Sequence, residues 1–468
     1  MPEPRVPGSR RLAYAAGMFG SSLPINLVRG SILLYYVDTL GMDATAYGIV
    51  MVVYAIVDAI DNPLFGHLSD GTRTRLGRRR PWLLVAVPSL VAVFVALFSA
   101  PTSLDGAALV AWFAVFVILT EAADSLYNAN YTALLPELFR TEAERSVVNA
   151  VRQAFQLAAM VVSVALTPAL TTRWLGSEHG PEGFTRTAVL LGVVALLVMG
   201  AMVLSVREDA AVQHEPPTRF LPAIGGVLRT RELWLIGATT AGYGAALGLL
   251  ISGIQLWMRY TLERPVAMTT PVLGAAILTA AAVLPAWAWL VRRVGAPRAW
   301  RWALTWLAVS FLPLWFVTSV PLAVVAAAVV GVGYGGVLAT TDLVTARVLD
   351  RDARLTGLHR EGVFLGTFGV FARLTGALGG LALATLEPLF GYVSGDDPGE
   401  RPGLAFRVYT CLYPAALVGI AAVAARFVRV DDEVGGRPGA LPDAPGVVDR
   451  PGTRTTPGGP GPRGTLDQ

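Results

Sequence analysis

The chain is 468 residues long, of which 54% are hydrophobic and only 15% are charged. Soluble domains carry roughly 25% charged residues, so this composition excludes an ordinary soluble protein. The formal net charge is +4, but the basic residues are arginines clustered in short loops between apolar stretches, so the charge does not indicate a nucleic-acid partner. The single cysteine excludes an internal disulfide.

Apolar stretches recur along the chain, and twelve of them are long enough to be membrane-spanning helices. A helix needs about 20 residues to cross ~30 Å of hydrocarbon. The predicted spans cover 12–37, 44–68, 82–100, 107–135, 147–172, 185–206, 234–259, 269–291, 301–319, 321–347, 361–390 and 404–428. The predicted fold class is therefore an all-α integral membrane protein with twelve transmembrane helices.

A polar, proline-containing connector at 207–232 follows the sixth predicted span and divides the chain into halves. We expect an N-terminal six-helix bundle at 1–206 and a C-terminal six-helix bundle at 233–430. Residues 431–468 are rich in Gly and Pro and cannot bury enough apolar surface to fold. They are expected to form a disordered cytoplasmic tail.

A weak internal repeat agrees with this division. The loop after the second span reads RLGRRRPW (75–82), and the loop after the eighth reads RVGAPRAW (293–300). Both fit R-[LV]-G-x-x-R-x-W at equivalent places in the two halves, and parallel six-helix halves are typical of one large class of secondary transporters. The alternative is that two arginine-containing turns are similar by chance.

The distribution of arginines predicts the orientation in the membrane. The arginine-rich loops all fall on one side of the twelve spans, whereas the opposite loops carry several acids and fewer arginines. By the positive-inside rule the arginine-rich side is cytoplasmic, which places both termini inside. We expect the protein to lie in the plasma (inner) membrane.

Polar residues interrupt the second span directly before Pro63. Asp58, Asp61 and Asn62 lie within about one helical turn, and buried charge at membrane depth costs at least about 2.5 kcal/mol on insertion scales. Pro63 frees a backbone carbonyl, and carbonyl, carboxylate and amide oxygens suit a hard cation. The segment therefore predicts a cation site; the alternative is a structural ion pair with an arginine of a neighbouring helix.

Further charged residues lie inside other spans. Arg29, Arg152 and Arg373 occur in the first, fifth and eleventh spans, and Glu121 and Asp124 occur in the fourth. The arginines could bind a polar or anionic solute by forked hydrogen bonds, or they could pair with the acids across a central cavity. The sequence leaves both alternatives open.

The tenth span contains G-x-G-x-x-G at Gly331, Gly333 and Gly336. A dinucleotide site would need a preceding strand, which is not predicted here. Small residues at this density instead let helices approach each other closely. We predict a helix-packing surface.

Four segments together resemble a known family: D-A-I-D-N-P-x-x-G (58–66), D-x-T-R-T-R-x-G-R-R-R-P-W (70–82), Y-T-A-L-L-P-E-L (131–138) and R-E-G-V-F (360–364). They resemble the glycoside–pentoside–hexuronide:cation symporters, the melibiose-permease branch of the major facilitator superfamily. The resemblance implies the major facilitator fold, with two six-helix bundles.

The resemblance also implies roles for individual residues, with departures from the pattern. Asp58 falls on the main cation carboxylate of the family, while Asn62 and Asn128 stand where other members have a second and a third. Ser125 matches a hydroxyl position, and Ser22 stands where the sugar-binding aspartate is expected. The loss of two carboxylates weakens the case for Na⁺, which takes several oxygen ligands, and favours H⁺; Asp61 leaves the ion open.

Arg152 and Arg373 fall on basic residues that line the sugar cavity of the family. The complete predicted solute site is Ser22, Arg29, Glu121, Asp124, Asn128, Arg152 and Arg373, and the cation site is Asp58, Asp61, Asn62, Ser125 and Asn128. A predicted cytoplasmic gate consists of Asp70, Arg73, Arg75, Arg78, Arg79 and Arg80.

The expected function is secondary active transport of a small solute (glycoside, sugar or uronide) by alternating access, coupled to a cation. We expect no enzymatic activity, no cofactor beyond a coupling H⁺ or Na⁺, lipid and a small molecule as partners, no nucleic acid, and a monomer. One alternative is a transporter of the same fold for an anionic or amphipathic solute, such as an organic acid or lysolipid. Another is a membrane scaffold or sensor that transports nothing.

Overall fold

The architecture is helical almost throughout. A computed structural model describes residues 8–70, 72–139, 142–177, 180–206, 230–356, 371, 375–395 and 398–428. Within these ranges, strand-like pairing is limited to two isolated bridges, between Thr74 and Gly77 and between Tyr392 and Gly399. Arg373, residues 207–229 of the connector predicted at 207–232, and the predicted tail lie outside the described residues.

Each predicted span corresponds to a helix in the described ranges. The helices are α1 (Gly8–Leu33), α2 (Ala44–Asp70), α3 (Arg80–Leu97), α4 (Gly106–Leu138), α5 (Glu142–Met160), α6 (Glu182–Ser205), α7 (Arg231–Leu256), α8 (Thr269–Val294), α9 (Ala296–Ser310), α10 (Val320–Thr356), α11 (Thr375–Phe390) and α12 (Pro402–Phe427). Among the residues that the structure describes, eight apolar helical stretches are long enough to cross a membrane, and shorter apolar stretches lie in α2 and α11. The predicted all-α membrane class is confirmed.

Several helices end in π-helical turns. One such turn, Leu34–Thr39, extends α1, and Trp257–Thr261 extends α7. The α5 helix continues through Val161–Ala165 to a second π turn at Leu170–Trp174. Because π turns are rare and often occur at functional sites, the ends of α1, α5 and α7 are candidate functional segments.

The most extensive helix contacts lie within each half of the chain. In the first half α1 packs on α5 and α6, α4 packs on α2 and α3, and α3 packs on α6. In the second half α7 packs on α12, α8 on α10, and α9 on both α10 and α12. The boundaries of the two predicted bundles remain a prediction, since the connector is outside the described residues.

Glycines allow the close packing of α10. A Cβ atom on Gly331 would lie 2.4 Å from the carbonyl oxygen of Ala276 in α8, and one on Gly336 would lie 2.5 Å from the Trp287 ring. Gly333 is similarly tight against α9. The G-x-G-x-x-G motif is thus a helix-packing surface, as predicted.

The two halves meet at the end of the helices farthest from Gly8, which we call the outer end. There, the Gln255 side chain of α7 donates a hydrogen bond to the Gly30 carbonyl oxygen of α1 at 2.5 Å. The α2 and α11 backbones also cross closely: a Cβ atom on Gly48 would lie 2.6 Å from the Gly380 carbonyl oxygen. First-half and second-half helices are therefore in direct contact at this end.

Candidate functional site

A hydrogen bond between α2 and α4 anchors the candidate site. The Tyr54 hydroxyl donates to Oε2 of Glu121, and the Glu121 side chain is buried, with the residue 7% exposed. Asp124 lies three residues further along α4, so it shares a helix face with Glu121. The structure thus places two acids of the fourth helix beside the polar face of the second.

Three charged side chains interact electrostatically with both Tyr54 and Asp124. They are Arg29 of α1, Asp58 of α2 and Glu121 of α4. We call these five residues, from α1, α2 and α4, the charged cluster. The predicted solute residues Arg29, Glu121 and Asp124 and the predicted cation residue Asp58 are therefore brought together.

Arg29 is the exposed cation of this cluster. It is exposed although it lies within a helix of the membrane domain, and it forms no hydrogen bond or ion pair with any described residue. Asp124 has one carboxylate oxygen, Oδ1, that is buried and accepts no hydrogen bond from the described residues. A guanidinium without a close carboxylate can bind an incoming acceptor group.

The remaining predicted cation residues are placed as follows. Asp61 and Ser125 are buried, at 5% and 1% exposure. Asn128 lies one helical turn after Asp124 on α4, so the two residues share a helix face. The backbone of Asn62 lies in α2, but its side chain is outside the described part of the chain.

Arg152 lies against aromatic rings rather than against a carboxylate. Its guanidinium carbon is 4.9 Å from the Tyr131 ring centroid and 5.9 Å from that of Tyr14. Both tyrosines are buried and each donates a 2.8 Å hydrogen bond to the backbone oxygen of the other. This cation–π arrangement fixes Arg152 between α1 and α4. Ser22, in the same helix as Tyr14, is buried at 9% exposure.

The tyrosines of this site were not singled out by the sequence analysis. Tyr127 lies between the two regions, because both Asp124 and Arg152 act on it electrostatically. Its spacing from Tyr131 along α4 is one helical turn, and a stripe of tyrosines on an otherwise apolar span is the signal that could have identified it.

Part of the predicted cytoplasmic gate is held by an acid of α4. Arg78 and Arg79 lie 2.7 Å and 3.5 Å from Oε1 of Glu137, and Arg79 is buried at 6% exposure. Arg73 and Arg75 are exposed, Arg80 is half-buried, and the side chain of Asp70 lies outside the described residues. Glu137 belongs to the quoted segment 131–138, but the sequence analysis assigned it no role.

Another ion pair joins the two halves at the outer end, and the sequence analysis did not predict it. The Arg259 guanidinium and the Tyr260 hydroxyl both donate to the carboxylate of Asp38, whose side chain is 1% exposed. Asp38 lies in the π turn after α1, and the two donors lie in the π turn after α7. The π turns that follow the first helix of each half thus carry opposite charges. These opposite charges at equivalent positions are the sequence signal that could have predicted the ion pair.

Comparisons with known proteins identify the family. Residues 13–432 match a family model described as MFS/sugar transport protein. The isoprimeverose transporter of Lactiplantibacillus pentosus is 25% identical over 435 residues, which cover 91% of this chain and 89% of that protein. The glucuronide carrier protein homolog of Escherichia coli (strain K12) is 22% identical over 431 residues, covering 90% of this chain and 92% of that protein.

The fold also has solved counterparts. The nucleoside transporter NupG superposes with a TM-score of 0.65 at 9% identity, covering 89% of this chain and 98% of NupG, which shows a shared fold. The family match includes the charged cluster, the outer ion pair and the arginine-rich loop. This chain therefore belongs to the MFS/sugar transport family of the major facilitator superfamily, and it is a membrane transporter and not an enzyme.

Proposed function

We propose that the protein carries a small sugar-like solute (a glycoside, sugar or uronide) across the membrane by alternating access, in symport with a cation. The charged cluster is the observation that carries this proposal. It gathers Arg29, Asp58, Glu121 and Asp124 from three helices of the first half, at a depth where isolated charges are costly. The relatives named as an isoprimeverose transporter and a glucuronide carrier homolog support a sugar-like solute.

The outer contacts define one state of the proposed transport cycle. Asp38 with Arg259 and Tyr260, Gln255 with Gly30, and the α2–α11 crossing all join the two halves at the outer end. Rocking of one bundle against the other must break these contacts to open that end. We propose that the outer end faces the cell exterior, with both termini in the cytoplasm and the protein in the plasma membrane as a monomer.

The coupling cation is proposed to be H⁺. The described carboxylates of the charged cluster can be neutralised by proton binding, which needs no multi-ligand geometry. Asp58, the family carboxylate, is the expected carrier, with Tyr54 and Asp124 close enough to interact electrostatically with it.

Uptake into proteoliposomes tests the proposed function. Isoprimeverose and phenyl glucuronide are offered with an imposed H⁺ gradient, an imposed Na⁺ gradient or neither, using wild type and Asp58→Asn. We expect H⁺-driven accumulation that Asp58→Asn reduces at least about tenfold, which equals about 1.4 kcal/mol of lost coupling. The control is Asp105→Asn, because Asp105 is exposed at the start of α4. Accumulation by Asp58→Asn equal to wild type refutes the assigned role.

A transporter of the same family for an anionic solute is the second candidate function. The exposed Arg29 guanidinium, with no hydrogen bond or ion pair to described residues, is the observation that favours it. The same uptake assay separates the two candidates when neutral sugars and carboxylates are compared at equal concentration.

A further inference from the structure

The turn between α8 and α9 carries three exposed arginines that have no part in the proposed transport cycle. Gly295 alone joins the two helices, with a φ of 86° that favours glycine. Arg292 and Arg293 lie in the last turn of α8, and Arg298 lies in the first turn of α9. Because α8 begins shortly after the outer π turn of α7 and is 26 residues long, these arginines lie at the opposite end of the helices, which we call the inner end.

Acidic partners are scarce around this turn. Residues 265–341 contain four arginines and no aspartate or glutamate. The fourth arginine, Arg301, donates hydrogen bonds to backbone oxygens at the end of α12, whereas Arg292 and Arg293 form no hydrogen bond or ion pair with any described residue. The corresponding loop of the first half differs, because two of its arginines pair with Glu137. The α8–α9 turn thus has a positive charge that its own helices do not neutralise.

Arg293 is held in place by an aromatic ring. Its guanidinium carbon lies 4.3 Å from the centroid of the Trp289 ring, which is one helical turn earlier in α8. A ring contact of this kind occupies a face of the guanidinium. The N–H groups at the guanidinium edge can still donate two parallel hydrogen bonds to a phosphate. Arg293 is therefore positioned as a phosphate ligand before any anion binds.

Both helices continue from these arginines into exposed, largely apolar stripes. Trp289 is 48% exposed, and Trp302, one turn after Arg298 in α9, is 52% exposed. Tryptophan is favoured at the depth of the lipid headgroups, with the hydrocarbon layer beyond it. The exposed residues recur every three or four positions, so they share one face of each helix: Leu278, Ala282, Pro285, Trp289 and Arg293 in α8, and Arg298, Trp302, Trp306 and Val309 in α9.

This order of groups matches a phospholipid better than a soluble anion. A phospholipid has acyl chains that can cover the stripes and a phosphate at the level where the arginines lie. The arginines repel the ammonium group of a zwitterionic headgroup, whereas they attract a headgroup whose only charge is negative. Arg298 strengthens this preference, because its charge lies at the positive end of the α9 dipole and a nearby phosphate offsets both.

We propose that the α8–α9 turn is a binding site for an anionic phospholipid. The lipid phosphate accepts charge-assisted hydrogen bonds from Arg293 and from the neighbouring Arg292 and Arg298. The acyl chains lie along the exposed stripes of α8 and α9, with Trp289 and Trp302 beside the glycerol backbone. This site lies outside the charged cluster, and the inference does not depend on the proposed transport function.

Native mass spectrometry of the purified full-length chain tests the preference for headgroup charge. The chain, delipidated in detergent, is titrated with dioleoylphosphatidylglycerol and with dioleoylphosphatidylethanolamine, which differ only in the headgroup. We expect phosphatidylglycerol to bind at least about tenfold more tightly. Glycerol 3-phosphate, which carries the phosphate without acyl chains, should not displace it.

Arginine variants assign the preference to the α8–α9 turn. The double variant Arg292→Gln/Arg293→Gln should reduce the preference for phosphatidylglycerol to about twofold or less. The matched control is Arg73→Gln/Arg75→Gln, which removes two exposed arginines from the corresponding loop of the first half and should keep the preference. Equal losses in the two double variants indicate a general attraction of the inner end to anionic lipid and overturn the site.

A tryptophan variant separates the ring contact from the charge. Trp289→Leu leaves the net charge unchanged but removes the ring that positions Arg293, so the preference for phosphatidylglycerol should fall several-fold. Its control is Trp174→Leu, at a 60% exposed tryptophan in the second π turn that follows α5, which should keep the preference. An unchanged preference in Trp289→Leu overturns the proposed arrangement.

The lipids themselves provide the remaining outcomes. Equal binding of the two phospholipids by the wild-type chain overturns the proposal. Displacement of phosphatidylglycerol by an equal concentration of glycerol 3-phosphate assigns the turn to a soluble anion and also overturns it. The titration needs no transported solute, so a failure of the uptake assay refutes the proposed function and leaves the lipid site standing.

Discussion

The position of Glu121 within the charged cluster has a mechanistic consequence. Its carboxylate accepts a hydrogen bond from Tyr54 of the neighbouring helix and lies one turn from Asp124. Glu121 also interacts electrostatically with Asp124. Replacing Glu121 with a neutral residue is therefore expected to change the electrostatic environment of Asp124 as well as its own site.

Glu121→Gln is predicted to separate proton coupling from solute movement. Glutamine still accepts the Tyr54 hydrogen bond but carries no charge, so gradient-driven uptake should fall at least about tenfold. Solute exchange across the membrane, which needs no net proton release, should remain near the wild-type rate. The two rates are measured on the same proteoliposomes.

The contrasting substitution is Gln255→Glu. Gln255 is also buried in the membrane domain, but it belongs to the outer contact and not to the charged cluster. Unchanged gradient-driven uptake by Glu121→Gln contradicts its participation in coupling.

At the scale of elements, the crossing of α2 and α11 depends on two glycines. Cβ atoms at Gly48 and Gly380 would lie 2.6 Å and 2.7 Å from the carbonyl oxygen of the opposite glycine. Contacts this short with backbone atoms cannot be relieved by a rotamer change. The outer end can therefore close fully only when both positions lack a side chain.

Gly48→Leu is predicted to keep the outer end open. The reporter is a cysteine that replaces Ser31 in a Cys411→Ser background. Ser31 is fully buried beside Gln255. The new cysteine should react with a membrane-impermeant maleimide several-fold faster in Gly48→Leu than in the parent. Gly200→Leu in α6 is the matched control, since a Cβ atom there meets nothing within 4 Å. Equal reactivity in the two leucine variants argues against the crossing as a closing contact.

The elements themselves were largely predictable from the sequence, whereas their contacts were not. Apolar stretches of about 20 residues predict helices, because a helix satisfies its backbone hydrogen bonds within one segment and a single strand in lipid does not. The close approach of Gly331 to α8 was anticipated from small-residue spacing alone. The pairing of Asp38 with Arg259 was not, because it joins residues more than 200 positions apart whose geometry depends on how the halves meet.

The candidate site shows the same limit. Arg29, Asp58, Glu121 and Asp124 were predicted as functional because intramembrane charge is costly, and the structure brings them together. Sequence reasoning did not anticipate that Arg152 lies between tyrosine rings. The spacing of the tyrosines on α4 marks the stripe, but it does not indicate which of the rings binds a cation and which ones only pack.

For the whole molecule, the outer ion pair stabilises one of two global states. The Asp38 carboxylate accepts hydrogen bonds from both Arg259 and Tyr260 and is nearly inaccessible to solvent. Its contacts exist only while the halves touch at the outer end. Removing the charge should therefore shift the equilibrium between states more than it affects the folding of either half.

Asp38→Asn is predicted to increase the population with an open outer end. Hydrogen bonds to charged groups contribute about 1.5–3 kcal/mol, so the ratio of open to closed molecules should rise by roughly an order of magnitude or more. Distances between labels at Ile49 in α2 and Leu389 in α11, which are 61% and 64% exposed, report the change. Asp105→Asn is the control, and an unchanged distance distribution in Asp38→Asn contradicts the prediction.

A small apolar gap lies between the halves, with Met160 and Val164 on one side and residues of α7, α8 and α10 on the other. Rocking the halves must therefore pull these walls apart, and the affinity for a solute bound between the halves cannot be the same in the two states. Half-saturating concentrations measured from the two faces of the membrane should then differ. The final accumulation ratio should not, because a carrier changes only how fast the gradients come to balance and never where they do.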